Sequence, residues 1–142
     1  MQPLARNATR YVSKLSNKIR RKLHTFTLDS DLSPAQGRVL HFLLAQNGEV
    51  FQKDIEEEYS LRPSSASELL HQMEEKGFIV RIPADYDRRL KKIEVTEKGL
   101  GYKSRVFENL SGLEKELTAG ISDEELSVFC SVMEKMMKNM DD

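Results

Sequence analysis

Cysteine is almost missing from this chain. Cys130 stands alone in 142 residues, so no internal disulfide can form, and a cytoplasmic setting is the default expectation. No apolar run approaches the roughly 20 residues that a membrane span needs, so no membrane partner is expected. The first residues, MQPLARNATRYVSKLSNKIRRKL, are polar and basic without a continuous apolar stretch, which does not fit a secretory signal. No Gly-rich phosphate loop, metalloprotease motif or Ser/His/Asp arrangement is visible, so no catalytic residue is assigned and no enzyme is expected. The three histidines, His24, His41 and His71, are scattered without ligand spacing, and neither a metal nor a cofactor is expected. Internal repeats and low-complexity segments are also missing.

What is present is charge, and it is unevenly placed. The net charge is only −1, yet residues 1–30 carry +6, 31–80 carry −5, 81–105 carry +4 and 106–142 carry −6. A sequence pI near 6.3 excludes a protein that coats nucleic acid all over, but leaves room for one with a defined basic surface. The length suits one domain, 1–142. With 39% hydrophobic and 32% charged residues, the composition is that of a soluble, helix-rich chain.

Periodicity divides the chain. Leu4, Ala8, Tyr11, Val12, Leu15, Ile19, Leu23 and Phe26 recur at three and four, predicting a helix over roughly 4–26. TLDSDL (27–32) breaks it. Ser33, Pro34 and Gln36 make a capping box with proline at the first helical position, opening a helix to about Ala45 that Asn47-Gly48 ends. A short helix at 51–59, the connection SLR and a helix from Pro63, stopped by Gly77, form a helix-turn-helix. FIVRI (78–82) and KKIEV (91–95) read as strands. Between them PADYDRRL predicts an eight-residue polar loop, the tip of a hairpin. Thr96 caps a helix expected over roughly 97–118 on Leu100, Phe107, Leu110, Leu113 and Leu117, and Gly120 breaks it. Ser122 and Glu125 form a second capping box and open a last helix to about Met140. Its stripe includes Leu126, Phe129, Cys130, Val132, Met133, Met136 and Met137, and Cys130 is read there as a core residue rather than a sensor.

The fold class expected is mainly α with a small β-wing. A winged helix-turn-helix over 33–96 is flanked by helical portions, 1–30 and 97–142, that carry more apolar surface than it can cover. A second copy of the chain is the simplest cover.

Two constellations bear on function. The helix from Pro63 exposes Ser64, Ser65, Ser67, Glu68, His71 and Gln72. Small hydroxyls let a helix lie close to base edges, and Gln or His reads bases or phosphates; taken alone, this is equally a solvated polar face. The hairpin tip places Arg88 and Arg89 on a projecting loop, suited to the narrow, electronegative minor groove. Asp87 beside them can hold one guanidinium in a bidentate pair. Lys18, Arg20, Arg21 and Lys22 read as a solvated helix face, as does the EEE run at 56–58.

In order over 33–99, LSPAQGRVLHFL, FQKDIEEEYSLRPSSASELLHQMEEKG and FIVRIPADYDRRLKKIEVTEKG resemble the MarR family of bacterial transcription regulators. Lys76-Gly77, the wing's Asp87-Arg88-Arg89 and Val95-Thr96-x-x-Gly99 carry the likeness. The resemblance implies a homodimer built from terminal helices, with recognition helices in successive major grooves and wing arginines in the flanking minor grooves. It also implies a pocket for a small aromatic or anionic effector. The chain departs from the family at Glu68, where many members are basic, and in having no cysteine in its first helix.

The expectation is a sequence-specific regulator that binds double-stranded DNA at a pseudo-palindromic operator, a repressor released by ligand. The candidate DNA contacts are Lys53, Arg62, Ser64, Ser65, Ser67, Glu68, His71, Gln72, Arg88, Arg89 and Lys91. The acidic 31–80 stretch and Glu68 keep open an alternative, a winged helix used as a protein–protein interaction module.

Overall fold

The computed structural model describes residues 1–2, 4–28 and 30–141. Helix α1 spans Ala8–Phe26, α2 Pro34–Ala45, α3 Gln52–Tyr59 and α4 Pro63–Glu75; strands β1 (Ile79–Ala84) and β2 (Asp87–Val95) follow, then α5 (Glu97–Leu100), α6 (Lys103–Leu117) and α7 (Asp123–Asn139). Contacts divide the chain into two compact units, Met1–Asn109 and Leu110–Asp142.

The caps explain most boundaries. Ser33 Oγ accepts from Gln36 N–H while Gln36 Oε1 accepts from Ser33 N–H, closing the box that opens α2. Ser122 and Glu125 repeat the device at α7. Helix α1 begins at Ala8 rather than near Leu4, because Asn7 Oδ1 caps Arg10 N–H and leaves Leu4 outside, 74% exposed. Asp29, within the stretch expected to end this helix, lies outside the described residues.

The core of the first unit gathers one face from each central element. Leu40, Ile55, Leu70, Met73, Phe78 and Ile79 are fully buried, and each such burial stabilises the fold by about 1.5–3 kcal/mol. Ala66, Leu70 and Met73 are the buried residues of α4, so the opposite side of that helix faces outward. At its end Gly77 takes φ +84, a left-handed turn that favours glycine. Thr96 ties the far end of the hairpin to the same place, its Oγ1 donating to Gly77 O at 2.6 Å and accepting from Gly99 N–H at 3.2 Å.

Three expectations are corrected. The eight-residue loop is shorter than expected: Ala84 pairs Asp87 across a turn at Asp85 and Tyr86, and a register shift leaves Arg88, Arg89 and Leu90 without ladder partners before Pro83 pairs Lys91. Pro83 and the polar run suggested a break. A two-stranded hairpin tolerates both, since neither strand is sandwiched in a wide sheet and a ladder position facing solvent needs no N–H. The long helix from Thr96 is two helices, α5 and α6, broken at Gly101 and Tyr102. Gly99 and Gly101 weaken helix there, and the Tyr102 ring packs edge-on to Phe78 at 5.3 Å. Cys130 is not a core residue of the chain but exposed. None of α7 is buried, and Val128, Phe129, Val132, Met137 and Met140 stand out from it.

Candidate nucleic-acid interface

Helix α4 is held from both ends. Ser60 ends α3 in the left-handed region at φ 49, and Leu61 N–H closes back on Glu56 O at 2.9 Å, so the turn between the helices is only residues 60–62. Gln52 Nε2 reaches from α3 to Pro63 O at 3.2 Å. At the C-terminal end Glu74 accepts from Arg81 twice, from its backbone N–H at 3.2 Å and from Nη2 at 3.1 Å. The Arg81 guanidinium holds the Glu74 carboxyl below its ordinary range. This pair docks β1 onto the helix.

The N-terminus of α4 suits an anion. No side chain caps it, Pro63 occupies its first turn, and that turn holds no acid. Its leading N–H groups and the positive end of its dipole therefore point to solvent, the arrangement that accepts phosphate. Ser64, Ser65, Ser67, Glu68, His71 and Gln72 are all exposed and fall within an arc of about 160° at 100° per residue. Ser64, Ser65, Glu68, Leu69 and Gln72 line a shallow depression of ≈ 440 Å³. His71 is partly committed to its own helix, with Nε2 2.9 Å from Glu75 Oε1. Lys53 is exposed, and its 3.9 Å approach to Glu57 is too weak to hold it from another partner. Arg62 precedes the first turn of α4.

The hairpin settles which arginine Asp87 holds. Asp87 Oδ1 accepts from Arg89 N–H at 3.0 Å and Nε at 3.1 Å, and Oδ2 accepts from Nη2 at 3.0 Å. These bonds hold the Asp87 carboxyl below its ordinary range, chiefly through the Arg89 side chain, and they raise Arg89. Arg88 and Lys91 make no ion pair among the described residues. Both arginines lie within β2, in the stretch 88–90 that a register shift leaves without ladder partners between the Ala84–Asp87 and Pro83–Lys91 pairs. The tip is anchored at Tyr86, whose hydroxyl donates to Glu49 Oε2 at 3.1 Å.

Sequence reasoning missed Gln36 and Lys76 as parts of this surface's support. Gln36 is 1% exposed, and Nε2 donates to Gln72 Oε1 at 3.2 Å. Lys76 Nζ donates to Gln36 Oε1 at 2.9 Å and Asp31 O at 2.6 Å. The capping box flagged Gln36, but its free end meets a residue 36 positions away, which no local pattern reveals. Among the described residues no group of three or more His, Cys, Asp and Glu could hold a metal ion, and no helix is long and apolar enough to cross a membrane.

With this geometry in hand, the comparisons with known proteins agree in kind. The MarR family model matches residues 30–90, the segment holding α2 to α4 and the hairpin tip. The HTH-type transcriptional regulator YwhA of Bacillus subtilis is 28% identical over 119 residues, covering 84% of this chain and 85% of that protein. The crystal structure of the transcription regulator MarR from Oenococcus oeni superposes with a TM-score of 0.87 at 26% identity, covering 93% of this chain and 99% of that one. The S. aureus MepR–DNA complex shares the fold, with a TM-score of 0.83 at 23% identity over 96% of this chain and 100% of that one.

Proposed function

We infer that the chain belongs to the MarR family of winged helix-turn-helix transcription regulators, and from that premise we propose that it binds double-stranded DNA as a homodimer, at a pseudo-palindromic operator, in the cytoplasm. It is a transcription regulator and not an enzyme. Residues 33–96 are the DNA-binding portion, and 1–30 with 97–142 the dimerisation portion. Two-fold symmetry sets half-sites about 10 bp apart. Family membership supports a repressor released by a small aromatic or anionic effector.

The observation that carries the reading is the pairing of two surfaces in one unit. An uncapped, acid-free helix N-terminus with a polar face is followed by a hairpin whose tip presents Arg88 without an ion partner among the described residues. Serines, Glu68, His71 and Gln72 meet base edges, while Lys53, Arg62 and Lys91 meet phosphate. Arg88 and Arg89 enter the minor groove, where a narrow, negative channel attracts guanidinium.

The test is charge reversal of the wing. A variant carrying Arg88→Glu and Arg89→Glu is expected to lose operator binding in a gel shift at fixed salt while sedimenting like the wild type. Unchanged affinity would refute the wing assignment.

A further inference from the structure

We propose that Gln36 is a positioning residue for base selection: through Gln72 it sets Glu68 to accept a hydrogen bond from the N4 amine of a cytosine in the major groove. This rests on the DNA-binding reading above and adds to it the base that α4 selects and the buried group that enforces the choice.

The argument begins with groups that have only one hydrogen-bonding sense. Gln36 Oε1 accepts from Ser33 N–H at 3.0 Å and from the Lys76 ammonium at 2.9 Å; both of these can only donate. The amide of Gln36 is therefore oriented, and its Nε2 must look for an acceptor. It finds Gln72 Oε1 at 3.2 Å. Gln72 is oriented in turn, and its Nε2 donates to Glu68 Oε1 at 3.0 Å, a carboxylate that accepts. Flipping either amide would set donor against donor at one end and acceptor against acceptor at the other. Gln36 is 1% exposed, so water cannot substitute for a mismatched partner without a cost.

The orientation limits what α4 can read. Adenine is read by a Gln that offers its oxygen and nitrogen side by side to N6 and N7. Gln72 cannot do this, because its oxygen faces inward to Gln36. Glu68 instead presents acceptor capacity on the outer surface, in the depression it shares with Ser64 and Ser65. Guanine and thymine turn acceptors toward the major groove, and adenine sets N7 beside its amine; cytosine offers a donor alone. A carboxylate on a surface facing phosphates is repelled unless it is aimed at such a donor, and Gln72 supplies that aim.

Selection of bound sequences from a random duplex pool, followed by competition gel shifts, tests the chain of contacts. In the wild type, replacing one symmetric cytosine in each half-site should weaken binding by about tenfold or more. Glu68→Ala should remove that preference. Gln36→Glu keeps the acceptor for Ser33 and Lys76, and Glu suits this capping position, but it offers Gln72 no donor. It should cut the cytosine preference to about twofold or less, with affinity for random DNA unchanged. Gln72→Met, on the exposed face, should likewise cut the cytosine preference to about twofold or less should the buried variant fold poorly. The inference is overturned if Gln36→Glu and Gln72→Met keep the full preference, or if the wild type selects an operator without a cytosine requirement or with one that survives Glu68→Ala. In those cases the DNA-binding reading stands. Failure of the wild type to bind any duplex at low salt would overturn both.

Discussion

At the wing tip two adjacent arginines have been given different jobs by one carboxylate. Asp87 is bonded three times to Arg89, and Arg88 is left to reach outward. Arg88→Ala removes the guanidinium that has no ion partner among the described residues, so operator affinity should fall by about 1–3 kcal/mol and the salt slope by about one. Arg89→Ala also strips the cover from Asp87 and leaves a bare carboxylate near phosphate. Its loss should be the larger of the two, and equal losses in a salt titration would show that the pairing has no bearing on binding. Tyr59 makes a second residue-scale case. Its hydroxyl donates to Arg38 O at 2.6 Å, and burial pushes its pKa from 10.0 up to about 12. A group whose pKa is raised on folding stabilises fully below its unfolded value and loses that contribution as pH rises toward the folded one. Wild-type stability should therefore fall between pH 10.0 and about 12 by more than that of Tyr59→Phe. At neutral pH the variant itself should cost about 1 kcal/mol, because the Arg38 carbonyl loses its donor; thermal melts at both pH values check the pair.

At the scale of elements, caps and glycines were legible and pairing was not. The box at Ser33 and Gln36, proline at the start of α4, Gly77 and the box at Ser122 mark their helices within a residue, because each acts on the turn beside it. The hairpin tip was misread because a ladder position depends on the opposite strand: Pro83 pairs Lys91 and Ala84 pairs Asp87. The break between α5 and α6 has a similar origin, since Phe78 is what Tyr102 packs against. Gly99 belongs to this scale as well. A Cβ there would lie 2.5 Å from Val95 Cγ1 and 2.7 Å from Phe78 O, and a backbone carbonyl cannot swing aside. Gly99→Ala should destabilise the protein by about 2–3 kcal/mol, seen as a lower urea midpoint.

At the scale of the molecule, the last helix carries an exposed apolar stripe. Val128, Phe129, Val132, Met137 and Met140 are between 41% and 81% exposed, more than a solvated helix ordinarily leaves bare. The homodimer proposed above needs this surface, and Phe129→Glu would place a charge within it. That variant should sediment as a monomer with an unchanged far-UV spectrum. Its operator affinity should drop by about a hundredfold, as two half-sites cease to be bound together. A dimer that survives the charge would move the interface elsewhere.

By itself the sequence determined the winged helix-turn-helix, the helix starts marked by a capping box at Ser33 and Ser122, and the candidate reading face of α4. Those depend on the period of apolar residues and on caps that act within four positions. Only the tertiary structure decided that Asp87 holds Arg89, that Ala84 pairs Asp87 at the wing's tip, and that Cys130 is exposed. It alone joined Gln36 to Gln72. Each of these turns on which groups meet after the chain has folded, and hydrogen bonds between residues far apart in sequence leave no periodic trace in it.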